Sequence, residues 1–351
     1  MKSINWDFEN KFILEDLNEI VKDTDIPWDS LDGDSVLVTG ATGLIGSLIV
    51  KALLFSNIKC KVGIVVRDLS KARTVFGELI DNLEIENIDV SKSEWNLHNS
   101  YSYIVHAASS TSSQSFIKNP VEVIDTIVNG TSNLLKYCKS NPVKSFVFLS
   151  TLEVYGYNDS SVCHEEDSFS LNQLSVRNSY PVAKRLAENL CISYFTEYNV
   201  PTKIIRLTQT IGPGLLWSDE RVCAQFCKCV VNNQNIVLRS KGETERDYLY
   251  TADAVKGILA VLCKANSGTA FNLSNPDSYA SILDLANLCK KLSKNAIDII
   301  FDIDEEKSNK YLGEVHIHLD NSKIRSIVNY DMMPLDRMFC RLIDYYRSIK
   351  L

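Results

Sequence analysis

Val36-Leu37-Val38-Thr39-Gly40-Ala41-Thr42-Gly43-Leu44-Ile45-Gly46 decides how this chain folds. An apolar run, Val36 to Val38, ends in glycines spaced Gly40-x-x-Gly43-x-x-Gly46, and a helix-compatible apolar run from Leu44 to Phe55 follows. A strand that turns through glycines into a helix lets backbone N–H groups approach a dinucleotide pyrophosphate at the helix N-terminus. Glycine spacings of this kind also recur in ordinary turns, so the stretch needs support from elsewhere. Tyr180-x-x-x-Lys184 supplies it. The two motifs together point to a nicotinamide cofactor with a tyrosine acid/base beside it.

Outward from that turn, strand-like runs at Lys61–Val66, Tyr103–His106 and Ser145–Leu149 alternate with helical stretches near 44–56, 70–80 and 120–140. The alternation predicts an α/β protein with a Rossmann-type, doubly wound parallel sheet covered on both faces. Ligands of such sheets bind beyond the carboxyl ends of the strands. The motifs Gly40–Gly46, Arg67-Asp68, His106-Ala107-Ala108 and Ser150-Thr151 all fall there. Phe12, Leu14, Leu17, Ile20 and Val21 recur at helical spacing until Pro27 and the Asp32-Gly33-Asp34 turn, which marks 1–34 as a helical N-terminal extension. The dinucleotide-binding domain is expected over 35–210. Past Ile211-Gly212-Pro213-Gly214 the pattern loosens, with helices near 219–233, 279–293 and 335–349. Residues 211–351 read as mostly a smaller C-terminal substrate-binding lobe, interleaved with the core near 236–265.

The 351 residues are 45% hydrophobic and 23% charged, the balance of a soluble globular protein. A net charge of −7 argues against a nucleic-acid partner. It still admits an anionic small substrate, because a few arginines set the potential of a cleft. No apolar stretch approaches the ~18 residues of a membrane span, and Met1 to Asn10 is polar and acidic, without a signal-peptide core. A cytoplasmic protein with no membrane partner is therefore expected. Ten scattered cysteines read as reduced thiols. Cys223 and Cys227 would share a helix face near Cys229, and a fourth ligand would make a zinc site. No Cys-x-x-Cys pair accompanies them, and His164, His316 and His318 are distant in sequence, so no metal is assigned.

A phenol with pKa about 10 is a poor base at neutral pH, and bringing it near 7 takes about 4 kcal/mol. A cation at about 5 Å, in an effective dielectric near 20, supplies about 3 kcal/mol. Lys184, one helical turn after Tyr180, is placed to be that cation. An oxidised nicotinamide adds a second positive charge. Tyr180 would take a hydroxyl proton while a hydride leaves for the cofactor, and Thr151 would hold the same oxygen. The bland alternative is an i, i+4 pair on a helix surface.

In this order the motifs resemble the extended short-chain dehydrogenase/reductases that act on nucleotide-activated sugars, the NAD-dependent epimerase/dehydratase group. The resemblance runs over roughly 35–350. It is carried by Thr39-Gly40-x-x-Gly43-x-x-Gly46, Asp89-Val90, His106-Ala107-Ala108, Asn129-Gly130-Thr131, Ser150-Thr151-x-Glu153-Val154-Tyr155-Gly156 and Tyr180-x-x-x-Lys184. Arg206, Gly212-Pro213-Gly214, Arg246-Asp247-Tyr248 and Leu319-Asp320-x-Ser322-Lys323 continue it. The resemblance implies that Gly40, Thr42, Gly43, Leu44, Ile45, Gly46, Arg67, Asp68, Asp89, Val90, Ala107, Ala108, Ser109, Tyr180 and Lys184 hold the dinucleotide. It implies a catalytic set of Thr151, Tyr180 and Lys184, with Glu153 as a further base, and substrate contacts from Ser110, Gln209, Arg239 and Arg246. A guanidinium fork at Arg246 suits a substrate diphosphate. It further implies a homodimer built on the helices near 120–140 and 180–198, and a setting in polysaccharide biosynthesis.

Departures from the family pattern bear on the reaction. Sugar-nucleotide 4,6-dehydratases carry an Asp-Glu pair directly after the catalytic Thr; here Leu152 precedes Glu153. Leucine cannot donate a proton to a leaving hydroxyl, which favours epimerisation of a nucleotide-activated sugar or polyol through a keto intermediate. Dehydration or decarboxylation with Glu153 as base is the alternative, and a weakly catalytic NAD(P)-binding sensor or scaffold is the alternative of another class. Gln209 stands where relatives usually carry Asn. The second strand ends Val66-Arg67-Asp68. Asp68 would accept a ribose 2′-hydroxyl, as in NAD enzymes, whereas Arg67 with Lys71 would grip the 2′-phosphate of NADP. NAD is the expected cofactor.

Overall fold

The computed structural model describes residue 6 and residues 9–156, 162–303, 315–329 and 331–350. Fourteen strands are defined among them. The first seven are β1 (Ser35–Thr39), β2 (Lys61–Val66), β3 (Leu83–Asn87), β4 (Tyr103–His106), β5 (Ser145–Thr151), β6 (Val162–Cys163) and β7 (Thr202–Leu207). The rest are β8 (Gln209–Ile211), β9 (Ile236–Leu238), β10 (Glu245–Tyr250), β11 (Thr269–Leu273), β12 (Asn275–Ser281), β13 (Ile299–Phe301) and β14 (His316–Leu319). Seven of them form one sheet in the order β3-β2-β1-β4-β5-β7-β11, with every neighbouring pair parallel.

All five residues of β1 are buried, because side chains alternate between two covered faces. Val36 and Val38 enter one apolar cluster and Leu37 the other. The helices are α1 (Lys11–Val21), α2 (Leu44–Phe55), α3 (Leu69–Phe76), α4 (Ser113–Lys118), α5 (Pro120–Ser140), α6 (Ser179–Tyr198), α7 (Val222–Asn232), α8 (Thr251–Lys264) and α9 (Ile282–Leu292). A four-residue helix, Ser322–Arg325, and a last helix, Leu335–Lys350, complete the set. On the face holding Val36 and Val38, α2 and α8 lie against the sheet and α1 packs on both. On the opposite face α5 and α6 pack together. Asn10 begins α1 by accepting the Phe12 N–H, a side-chain cap that satisfies one orphan donor. Ile13, Leu17 and Ile20 are the stripe it buries.

Beyond the carboxyl ends lies the smaller lobe. Its sheet runs β12-β10-β14-β6, with β8 also pairing β10, and β9 and β13 form a separate two-stranded ribbon. β6 therefore reaches this lobe from inside the 35–210 segment. The chain returns to the large sheet through α8 and β11, residues 251–273, whereas 236–238 belongs to the ribbon. β10 leads directly into α8, so one continuous segment joins the lobe to the sheet. Among the described residues no helix is long and apolar enough to cross a membrane. All ten cysteines are free thiols, and burial raises those of Cys223 and Cys227.

Candidate active site

The turn between β1 and α2 is built from contacts that only glycine permits. Gly40 has φ +64°, in the left-handed region that costs other residues about 1–2 kcal/mol. A Cβ there would sit 2.6 Å from the Ala107 carbonyl carbon, so the turn lies against the backbone that follows β4. A Cβ on Gly46 would run into the Gly40 carbonyl oxygen. The Gly43 N–H donates to that oxygen at 2.9 Å. Gly43 is also the N-cap of α2, and no side chain caps the helix there. First-turn N–H groups left uncapped in this way form an anion site.

A buried hydrogen-bond chain fixes the opposite wall. The Ala108 N–H donates to Thr39 Oγ1 at 3.1 Å, and Thr39 Oγ1 lies 2.7 Å from His106 Nδ1. His106 Nε2 is 3.2 Å from Thr131 Oγ1, which donates to the Ile127 carbonyl at 2.6 Å. Burial lowers the His106 pKa to about 3 and Lys184 lowers it in the same direction, so the imidazole is neutral. With Thr39 donating to Nδ1, the network assigns the proton to Nε2. Beyond β3, the Asp89 carboxylate accepts the Ser91 N–H and hydroxyl. Burial pushes its pKa up, but those bonds and the Arg67 charge outweigh burial and hold it low.

Thr151 closes β5 and Tyr180 opens α6, and the Thr151 hydroxyl bonds the Tyr180 phenol. Phe116 stacks on the Tyr180 ring with centroids 4.4 Å apart and planes 6° from parallel. Burial raises the phenol pKa and Glu153 adds to the rise, while Thr151 and Arg177 oppose it. The sequence predicts the reverse, a phenol lowered by Lys184. The main cause of the difference is burial of the ring, to which the Glu153 charge adds. The Lys184 ammonium donates to the Leu149 carbonyl at 2.6 Å, 4.5 Å from the Phe148 ring centroid and 5.9 Å from that of Tyr180. Burial lowers Lys184 itself to about 7, against the opposing charge of Glu188 one turn further on. Glu188 is held in turn by the Ser150 hydroxyl at 2.5 Å and by Arg206, whose Nη2 donates at 2.8 Å.

Glu153, Arg177, Asn178, Pro181, Arg246 and Ile317 line a pocket beside Tyr180. A model of the NAD dependent epimerase/dehydratase family matches residues 36–274. The chain belongs to that family. It is similar to UDP-glucuronic acid decarboxylase 1 of Xenopus tropicalis, 27% identical over 320 residues that cover 90% of this chain and 73% of that one. A dTDP-D-glucose 4,6-dehydratase of Dictyostelium discoideum is 28% identical over 74% of this chain and 63% of its own length. Among solved structures, UDP-glucose 4-epimerase of Thermotoga maritima superposes with a TM-score of 0.78 at 22% identity, covering 90% of this chain and all of that one.

This family member is an NAD-dependent enzyme, and the glycine turn with the uncapped start of α2 fits the dinucleotide. Gly40, Thr42, Gly43, Leu44, Ile45 and Gly46 would hold it there, between Asp89-Val90 on one side and Ala107, Ala108 and Ser109 on the other. Arg67 and Asp68 are exposed just past β2. Asp68 spends its carboxylate on the Lys71 N–H as the cap of α3. Arg246 reaches the pocket, with a buried Nε that has no hydrogen-bond partner. Arg239 does not reach it: the side chain is exposed beyond β9 and paired with Asp302 at 2.8 Å. Ser110 and Gln209 are half-buried outside the pocket lining, Gln209 paired in register with Tyr248. Two residues escape the sequence reading, Phe116 and Arg177. Arg177 lies three positions before Tyr180, one helical turn away, and that spacing is the signal that points to it.

Proposed function

We propose that this enzyme uses NAD to oxidise one hydroxyl of a nucleotide-activated sugar transiently and returns the hydride to the same intermediate, inverting the carbon. NAD supplies the hydride acceptor and donor. Tyr180 is protonated as it stands here, and would take the hydroxyl proton only once the positive charge of an oxidised nicotinamide offset the burial of its ring; Thr151 Oγ would hold the reacting oxygen, and Lys184 lies 5.9 Å from the ring centroid to add positive charge. The observation that carries the epimerase reading is Leu152. Its side chain is 2% exposed and packed with Val154, Tyr155, Cys163 and Leu319, so the position that carries the leaving-group acid in dehydratases belongs here to the apolar core.

Decarboxylation is the second reading, favoured by Glu153, whose charge acts on Tyr180, and by the name of the Xenopus relative. Mass spectrometry of UDP- and dTDP-linked sugars after incubation with the protein separates the two. Unchanged mass with altered retention supports epimerisation, loss of carbon dioxide supports decarboxylation, and loss of water overturns the argument from Leu152. We also infer a homodimer through α5 and α6. Ile127, Leu134 and Leu135 are buried in the core, but Val121 and Ile124 on α5 and Leu186 on α6 remain exposed, as a helix seam to a second copy requires.

A further inference from the structure

We propose that Glu188 is a positioning residue of the active site, whose carboxylate locks the end of β5 to α6 and keeps the Lys184 ammonium charged beside Tyr180. The inference rests on the oxidation–reduction reading above and adds a residue to its machinery. Tyr180, Lys184 and Glu188 stand at successive turns of α6 and are buried on one face of it. Three consecutive residues at the end of β5 meet them. The Leu149 carbonyl accepts from Lys184 Nζ at 2.6 Å, the Ser150 hydroxyl donates to Glu188 Oε1 at 2.5 Å, and the Thr151 hydroxyl bonds the Tyr180 phenol. Glu188 is thus the third rung of a ladder whose other two rungs carry the tyrosine and the lysine.

Arg206 backs that rung. It lies opposite Ser150 in the β5–β7 register, and it donates to Glu188 from Nε to Oε1 at 3.1 Å and from Nη2 to Oε2 at 2.8 Å. A carboxylate gripped by a guanidinium fork and a hydroxyl is fixed in both position and orientation. Its charge is aimed at a group that needs it. Lys184 is 2% exposed, and an ammonium buried that deeply sheds its proton unless an opposite charge stands near. Burial brings Lys184 to about 7, and Glu188 opposes the fall, so near neutral pH the neighbouring anion decides whether the ammonium is kept. The other groups around the pair do not supply that anion. His106 on β4 is neutral, burial keeps the thiols of Cys191 and, on α5, Cys138 protonated, and Arg185 and Arg206 are cations. Tyr155 donates no charge either, its phenol held protonated by burial beside Arg206. Glu153 and Arg177 stand at the phenol end and act on Tyr180.

The test follows phenolate absorbance in the ultraviolet against pH in the NAD-loaded protein, with the Tyr180 signal isolated by difference against Tyr180→Phe in each background. It compares wild type, Glu188→Gln, and a double variant that adds Arg206→Met. The double variant strands no buried guanidinium, so it carries the measurement if Glu188→Gln alone fails to fold. Loss of the anion predicts a phenolate midpoint at least about one pH unit higher than in wild type. With whichever nucleotide-activated sugar turns over, it predicts a kcat about 10-fold lower at neutral pH that recovers as pH rises. A midpoint unchanged or lowered in the folded variants overturns the proposal, as does a kcat loss equal at every pH, which would leave Glu188 a structural clamp. A wild-type phenol that does not titrate with NAD bound overturns it too. The absorbance measurement uses no sugar, so a failure of the nucleotide-sugar reading shows separately, as absent turnover with the midpoint shift intact.

Discussion

Tyr180 is the residue on which the proposed chemistry turns. Its phenol is buried among Phe116, Thr151 and the Glu153–Arg177 pair, and no other described side chain stands in its position as acid/base. Tyr180→Phe keeps the ring stack and removes the proton carrier. It is expected to lower kcat about 10²- to 10⁴-fold while nucleotide-sugar affinity changes little, measured by turnover alongside direct binding. Survival of the protein's role in that variant would favour the sensor or scaffold reading. Arg177 shows how a residue escapes a sequence scan. An arginine before a helix is common, and what distinguishes this one is the ring beneath it, contributed by α4 some sixty positions earlier.

At the scale of elements, the β1–α2 turn is where composition dictates geometry most tightly. Gly40 and Gly33 both have positive φ, but a Cβ on Gly33 meets nothing within 4 Å, whereas on Gly40 it meets the Ala107 backbone. Gly33→Ala should therefore cost about 1 kcal/mol of stability through backbone strain alone and leave NAD affinity unchanged. Gly40→Ala should also push β4's following backbone away and weaken NAD binding at least about 10-fold by calorimetry. Equal effects of the two substitutions would show that strain, not the close approach, matters. β3 shows the opposite case, an element the apolar runs do not announce. Glu84 and Glu86 interrupt it, yet Glu86 is buried because the His98 and Asn99 N–H groups, the Asn99 amide and the Tyr101 hydroxyl donate to its carboxylate. A buried charge is tolerable only with such partners, and those lie a dozen residues away.

Across the whole molecule, the two ends of the chain meet on one buried carboxyl. Asp16 on α1 accepts the Tyr250 hydroxyl at 2.7 Å and the Arg341 guanidinium at 2.7 Å, tying the extension to the β10–α8 junction and the last helix. Burial raises its pKa to about 7, against the lowering effect of Arg341 and Tyr250. Folded Asp16 thus keeps its proton up to about pH 7, while the unfolded chain loses it near 4. The folded state binds more protons in between, so this group makes stability fall as pH rises from about 4 to 7, by as much as about 4 kcal/mol. Asp16→Asn should flatten that slope in urea unfolding measured at several pH values; an unchanged slope would place the titration elsewhere. Val121, 63% exposed on α5, tests the assembly. Val121→Asp should convert a dimer to monomer in light scattering, and a wild-type monomer would end the dimer reading.

The sequence by itself determined the parallel sheet, the glycine turn and the pairing of Tyr180 with Lys184, because each is written in local pattern: apolar strand runs alternating with helical ones, φ-permissive glycines and one helical turn. It also showed that Leu152 replaces an acid. Tertiary structure decided what spacing cannot carry. It sent Leu152 into the apolar core, tied Lys184 to the Leu149 carbonyl, spent Arg239 on Asp302, and set Arg177 over Phe116 against Glu153. Those outcomes depend on desolvation and on partners brought together from distant segments, and such terms exist only once the chain has closed on itself.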